Sequence, residues 1–547
     1  MKKNYFFFSI TFLLSIFIFR SQANFISATS SNYTSYLNTL VAGDTLYLTA
    51  GTYLNNLTLN SRNGTQAQPI VIMGDTNLYS TVFTAQSCCN TVSITQCSYV
   101  VIKNLKLDGL NLLVDAVKGE GTTGNWAHHI TLEYLNIINY GADQQLVGIS
   151  TKCHAWDWII RKNIIVGAGT GLYLGNSNGD KPFVNGLIEN NLVMNTVGYN
   201  MEIKHQTDTV RDNYPGTNVN GKTIIRYNVF SKENNSSVGG NARPNVLVGA
   251  FPSSGIGSTD YYEIYGNFFY QNPVEALFQG TGNVMLYENI FVNHLNPSGF
   301  RAVYITTHNG FQPRDIKIFH NTVWAANSSG GIRLYNPNTF YQQYCYGNAV
   351  FAPSPITNFT NSVDNVTDSY ANAAAYVLSA TVNLSTLNLY PQSSQLTGAL
   401  TSASLFQTFT DWNKDFNGDT YNWTFRGAYS GCCTNNGWQL QLDTMPTPTG
   451  TMTGVNSFYK NILEEVYLFP NPASSQLNIS FAETGNYFLT IKNTLAETIL
   501  IKSVMEKEFS VDVKDFPAGI YFVTVTDDTA VSGARMKNMV TKKFVKM

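Results

Sequence analysis

The chain has 547 residues, more than one structural unit requires. Charged residues make up only 12% of it, so Asn, Ser, Thr, Gly and Tyr must supply the polar surface. A net charge of -2 leaves no basic field for nucleic acid, and an apolar content of 44% supports a long core.

The N-terminus reads as a signal peptide over residues 1–23. Lys2 and Lys3 supply positive charge, Tyr5 to Phe19 an apolar run, and Ser21-Gln22-Ala23 a small-residue cleavage site. A membrane anchor is the competing reading, but the run is short and no stop-transfer pattern follows. The expected mature protein therefore has no integral membrane span. Seven cysteines meet oxidising conditions after export, so some can pair. The adjacent pairs Cys88-Cys89 and Cys432-Cys433 lack the spacing of a zinc site, and Cys153 and Cys345 read as buried thiols.

The mature chain opens with GDTLYLTAGTYLNNLTLN, strands divided by Gly51, and then GTQAQPIVIMGD, a strand after a Gly/Pro-rich turn. These lines resemble the first coils of right-handed parallel β-helix proteins, a pectate-lyase-like group that includes many polysaccharide lyases and hydrolases. Next comes a recurring phrase of apolar residues, an Asn and an apolar run. It centres on Asn136, Asn163, Asn191, Asn228, Asn267, Asn289, Asn321 and Asn348. The spacing, roughly 22 to 39 residues, is that of stacked repeats. One repeat cannot bury its own apolar face, so the units must stack. The recurring Asn reads as a structural ladder at one corner of the stack.

Each repeat is expected to hold two strands. The second is exemplified by 170–176, 199–205, 245–251 and 330–336. Alternation puts Leu172, Leu174, Met201 and Ile203 inside, and Tyr173, Asn200, Glu202 and Lys204 outside. Two insertions, 206–221 and 231–244, break the regularity, and long loops on a rigid scaffold are where binding groups sit. Residues 353–443 lose the phrase and resemble a closing coil. Asp415, Asn417 and Asp419 around Gly418 match part of a Ca²⁺ loop but lack its later Glu. No cofactor is identified by sequence, and Ca²⁺ is the one left open.

A Pro/Thr/Gly linker spans 444–463. Beyond it, 464–547 reads as a small β-sandwich. Tyr467-Leu468-Phe469-Pro470-Asn471-Pro472, Pro517-Ala518-Gly519-Ile520-Tyr521-Phe522 and Lys542-Lys543-Phe544 resemble the C-terminal sorting domain of the type IX (Por) secretion system. That resemblance implies handling by the type IX machinery, export across two membranes, and release or attachment at the outer cell surface. The expected fold class is all-β: a right-handed parallel β-helix solenoid over 24–443, then the small β-sandwich.

The densest polar cluster lies around NMEIKHQ. Glu202, Lys204 and Gln206 share the outward parity, and His205 joins them only if the strand ends there. Tyr173 sits one coil earlier, Lys152 and His154 earlier still, and Arg243 enters from the second insertion. A groove of Lys, Arg, His and Tyr suits an anionic polysaccharide. β-Elimination from a uronate needs a cation at the carboxylate, a base for the adjacent C–H and a donor for the leaving oxygen. The expected roles are Lys204 as base, Arg243 at the carboxylate and Tyr173 or His205 at the leaving group. Glu202 would hold Ca²⁺ or orient Lys204, with Gln206 and Lys152 binding substrate. Outward Tyr304, Arg333 and Tyr335 extend a binding strip.

Two alternatives stay open. One is a non-catalytic glycan-binding or adhesin-like protein, in which Glu202 and Lys204 are merely a surface ion pair. The other is a glycoside hydrolase, which needs two facing carboxyls. Glu202, Glu275 and Asp115 are the few outward acids available. There is no P-loop and no HExxH, and adjacent His128 and His129 would face opposite ways on a strand.

Overall fold

The computed structural model describes residues 23–448 and 466–547, less 123, 213, 215, 218–219, 233–235, 296–299, 482–486, 494–496, 505 and 528–538. The expected signal peptide and most of the linker lie outside the described residues. The chain divides into two compact units, Met1–Thr453 and Gly454–Met547.

The first unit is a parallel β-helix. Three long sheets, of 15, 12 and 11 strands, run its length, here called faces one, two and three. One coil supplies Ile159–Arg161 to face one, Ile164–Val166 to face two and Thr170–Leu174 to face three. The next coil repeats this with Leu187–Glu189, Leu192–Met194 and Met201–Ile203, each paired in parallel with its predecessor. Leu172, Leu174, Met201 and Ile203 are fully buried, as their alternation requires.

Each repeat thus holds three strands, where two were expected. The reason lies inside the Asn phrase itself. In IIRKNIIVG, Lys162 adopts left-handed backbone and splits the phrase into a face-one strand and a face-two strand. Asn190, Tyr227, Gly266, Glu288, His320, Gly347 and Asp364 do the same, with φ between 53° and 63°. Only two of these residues are glycine, and each of the others costs about 1–3 kcal/mol in isolation.

The following Asn offsets that cost. Asn228 is typical. Its Nδ2 donates to Arg226 O at 2.9 Å and Ile188 O at 2.9 Å, closing the bend and reaching the previous coil. Its Oδ1 accepts from the backbone N–H of Asn191 at 3.0 Å and from Asn191 Nδ2 at 2.8 Å. The same pattern runs through Asn163, Asn267, Asn289, Asn321 and Asn348. The ladder differs from expectation at both ends. Asn136 opens a face-two strand, and Leu135 holds the corner, giving its N–H to Asn163 Oδ1. Asn365 extends the ladder one coil beyond the phrase, accepting from Asn348 N at 2.8 Å. Asn200 is also buried rather than outward, bonded to Thr196 Oγ1 and Ser231 O.

After the last coil the chain turns back over faces one and two. Ala428 N–H reaches Thr322 Oγ1, the Tyr287 hydroxyl reaches Thr410 O, and Asn190 Nδ2 reaches Met445 O. An aromatic layer seals this return: Phe406 stacks on Phe319 at 4.1 Å and Tyr421 on His320 at 3.9 Å. Under this cover the outer surface of face two is largely apolar, while face one mixes Tyr265, Tyr287 and Phe319 with the ion-paired Glu189, Arg226 and Glu263. The Asp415 turn belongs to the same segment. Its carboxylate accepts from the N–H groups of Asn417, Asp419 and Ser430, and burial lifts its pKa to about 6. Those oxygens serve the turn itself, and no group of three metal-ligating side chains occurs among the described residues.

Cys153 and Cys345 are buried, and burial is the main cause that pushes the Cys153 thiol up to about 12. Cys88 and Cys89 are disulfide-bonded to each other, while Cys432 and Cys433 are exposed. The second unit packs a three-stranded sheet and a four-stranded sheet, both antiparallel, around Leu477, Ile479, Leu489, Val523, Val525 and Phe544.

The ladder makes a stability prediction. Asn267→Ala strands the Asn228 N–H and two backbone carbonyls in a buried corner, and should lower stability by about 3 kcal/mol. Asn136→Ala, outside the ladder, should cost far less. Equal losses in urea denaturation would contradict the ladder's role.

Candidate functional site

Face three is the face whose outward residues line open cavities. Register stacks its outward side chains into one column: Lys118, Ser150, Tyr173, Glu202, Leu247, Gln279, Tyr304 and Arg333. Successive members stand about 4.8 Å apart. Two adjoining cavities, of about 250 and 470 Å³, open along this column. They share Tyr199, Arg243 and His308.

The smaller cavity gathers Lys152, Tyr173, Glu202, Lys204 and Arg243, five residues expected from sequence. Lys204 Nζ donates to Glu202 Oε1 at 2.7 Å, and both side chains are largely buried. Lys152 Nζ sits 3.4 Å from the centroid of the Tyr173 ring, a cation–π contact. The Tyr173 hydroxyl is hydrogen-bonded with Ser177 Oγ at 2.7 Å.

The two lysines are held in opposite states. Burial pushes the Lys204 ammonium down, but Glu202 and Tyr173 outweigh it, and the net shift is upward. Burial also acts on Lys152. Asp115 and Glu202 oppose it, Lys118 and Lys204 reinforce it, and the pKa falls to about 8. Of the two lysines, Lys152 is therefore the one nearer neutrality. Burial, seconded by Lys204 and His205, brings His308 down to about 4, so its imidazole is neutral.

Arg243 reaches the cavity because its loop is pinned from below. The buried Lys232 ammonium donates to Arg243 O at 2.9 Å, Pro244 O at 3.1 Å and Ser237 Oγ at 3.0 Å. Burial lowers the Lys232 pKa strongly. The guanidinium bonds to Ala242 O at 2.6 Å and reaches Gln144 Oε1 at 3.4 Å. The first insertion behaves differently. There buried Arg211 pairs with Asp260, and Tyr214 stacks on His154 at 3.5 Å.

Other expected residues fall elsewhere. Gln206 is fully buried and donates to Phe183 O at 3.1 Å, because the chain leaves strand geometry after Ile203 and parity no longer holds. His205 lies outside both cavities, within 3.0 Å of Asn309 Nδ2 and against Phe311. Tyr304 lines the larger cavity, with Arg333 next in register and Tyr335 exposed beyond it. Sequence reasoning missed Tyr199, Gln144 and His308. Gln144 and His308 come from loops that carry no repeat signal; Tyr199 has inward parity in the expected 199–205 strand, but the strand begins only at Met201. His128 and His129 are not opposed either: left-handed backbone at His129 brings their Nδ1 atoms to 2.8 Å, on face one.

The secretion-system C-terminal sorting domain family matches residues 467–542. The second unit is thus a type IX (Por) sorting domain, and the protein is secreted or attached to the outer cell surface. No helix among the described residues is long and apolar enough to cross a membrane. No curated protein sequence matches this chain. Among solved structures, an alginate lyase from Paenibacillus sp. strain FPU-7 is 17% identical, with TM-score 0.31, over 63% of this chain and 99% of that one. A GH136 lacto-N-biosidase from Eubacterium ramulus is 11% identical, with TM-score 0.38, over 63% of this chain and 68% of that one. A pectate lyase, Pel9A, is 13% identical, with TM-score 0.35, over 75% of this chain and 97% of that one.

The lysine pair makes its own prediction. Lys204→Met removes a repelling cation and should raise the Lys152 pKa, whereas Glu202→Gln should lower it further. Lysine side-chain NMR signals followed against pH would report both. Shifts in the reverse sense would refute the coupling.

Proposed function

We propose that this exported protein cleaves an acidic polysaccharide by β-elimination on face three. The observation that carries this reading is the meeting in one cavity of Lys152, poised near neutrality, with Lys204, which stays charged, and the Arg243 guanidinium. In the scheme, Lys204 and Arg243 meet the uronate carboxylate and acidify the adjacent C–H. Lys152 Nζ takes that proton. The C–H electrons become a C=C bond, and the bond to the leaving oxygen breaks. Tyr173, whose hydroxyl burial keeps protonated, gives its proton to that oxygen and is reprotonated from water. Glu202 keeps Lys204 charged and in place. No metal is needed to balance these steps, and Ca²⁺ would add to the positive charge facing the carboxylate if it bound.

Hydrolysis is a second reading, favoured by one observation. Glu275 lines the larger cavity, and burial raises its pKa against the pull of Lys232 and Arg243, as a general acid requires. A glycan-binding role without cleavage is the third. One experiment separates them: purified protein against alginate, polygalacturonate, chondroitin sulfate and a neutral glycan, read by ultraviolet absorbance and reducing ends. Elimination gives both signals, hydrolysis gives reducing ends alone, and a binding protein gives neither.

If elimination occurs, Lys152→Ala should cut kcat by about 10³-fold. The base works deprotonated, so activity should rise with pH through a midpoint near 8. Full activity in Lys152→Ala would remove this lysine from the chemistry.

A further inference from the structure

Along face three, next to the Tyr304 side of the larger cavity, lies a second pair of cations. Tyr304 and Arg333 are register partners on neighbouring coils. The Arg301 guanidinium lies over the Tyr304 ring at 4.7 Å and is 5.6 Å from the Phe300 ring. Arg333 lies 5.6 Å from the exposed Tyr335 ring. Among the described residues neither arginine has an acidic partner. The Nε of each is buried and lacks a hydrogen-bond acceptor. The two guanidiniums act on each other instead: burial, then the charge of Arg333, lowers the Arg301 pKa. Two half-exposed like charges beside an aromatic face, each with an unused donor, favour an anion that joins them. Buried guanidiniums elsewhere in this unit are already paired, as in Arg226 with Glu189 and Arg211 with Asp260.

We propose that Arg301 and Arg333 form a distal anion subsite. It seats a second carboxylate or sulfate of the same glycan chain whose first anionic group meets Lys204 and Arg243, with a sugar ring lying on Tyr304. This rests on the polysaccharide reading but not on the elimination step. Four register steps separate Glu202, beside Lys204, from Arg333. At about 4.8 Å each this is roughly 19 Å, beyond the reach of a disaccharide. The preferred ligand is therefore a long polyanion lying parallel to the solenoid axis. Between the two cationic centres the column presents Leu247 and Gln279, neither of them charged.

The test is binding, measured by titration calorimetry with size-graded oligomers from polygalacturonate, alginate and chondroitin sulfate. The first two carry carboxylates alone and the third adds sulfate, so the arms separate the two anions. Cello-oligomers serve as the uncharged control. Wild-type affinity should step up by about tenfold or more once the oligomer spans both centres, in at least one anionic arm and not in the control. The double variant Arg301→Ala, Arg333→Ala should lose that step while binding short oligomers as the wild type does. Arg301→Lys with Arg333→Lys, which keeps charge but not the planar fork, should keep part of it. This second variant also covers the case in which the alanine pair fails to fold. Wild-type affinity that does not depend on length, a step that survives in the alanine variant, or no binding of any anionic oligomer would overturn the subsite. Absence of cleavage would count against elimination alone, since the length dependence is read from binding.

Discussion

The asparagine corner is the constraint on which the rest of the structure depends. Each coil must turn from face one to face two within one residue, and it does so through left-handed backbone at positions mostly not glycine. Such a bend is unstable by itself. It is held because the next residue is Asn, whose amide bonds both its own coil and its neighbours. The ladder is also why register is shared from coil to coil. Every Asn fixes the height of the one before it, so outward side chains far apart in sequence fall into one straight column on face three. A parallel stack without that lock could slip by a residue and would present a different surface.

The column explains why chemistry gathers where it does. The chain returns over faces one and two and fills them with aromatic packing, so their outward residues become core. Face three keeps its polar side chains and its cavities. Within it, Lys152 and Lys204, two coils apart, are held close together beside Tyr173. Proximity, burial and the nearby carboxylates then divide them into one that stays charged and one near neutrality. This is electrostatics set by stacking, with Glu202 deciding which lysine it serves. Lys232 plays a comparable part beneath the second insertion, where one buried ammonium gathers three oxygens and so aims Arg243.

Much of this was legible in the sequence. The Asn phrase marked the repeat, alternation marked the inner face around Leu172 and Met201, and short motifs after Val466 marked the sorting domain. Lys152, Tyr173, Glu202, Lys204 and Arg243 could be singled out because outward parity and a broken repeat both point to them. Other features were illegible for physical reasons. Lys162 gives no sign that it breaks a strand, because its left-handed conformation is imposed by the Asn after it. Gln206 obeyed strand parity on paper but lies where the strand has ended. His308 reaches the cavity from a loop with no periodicity to read, and Tyr199 had inward parity but precedes the strand, which starts at Met201.

The sequence by itself determined the coil, its ladder, the open question of a polysaccharide groove and the export domain, because each is written in local pattern or short motif. The tertiary structure alone decided which lysine is near neutrality, which insertion brings an arginine to the groove, and that Arg301 and Arg333 have no acidic partner among the described residues. Those outcomes depend on distances between side chains from different coils, and on what burial does to a charge. Neither is carried by any one stretch of chain.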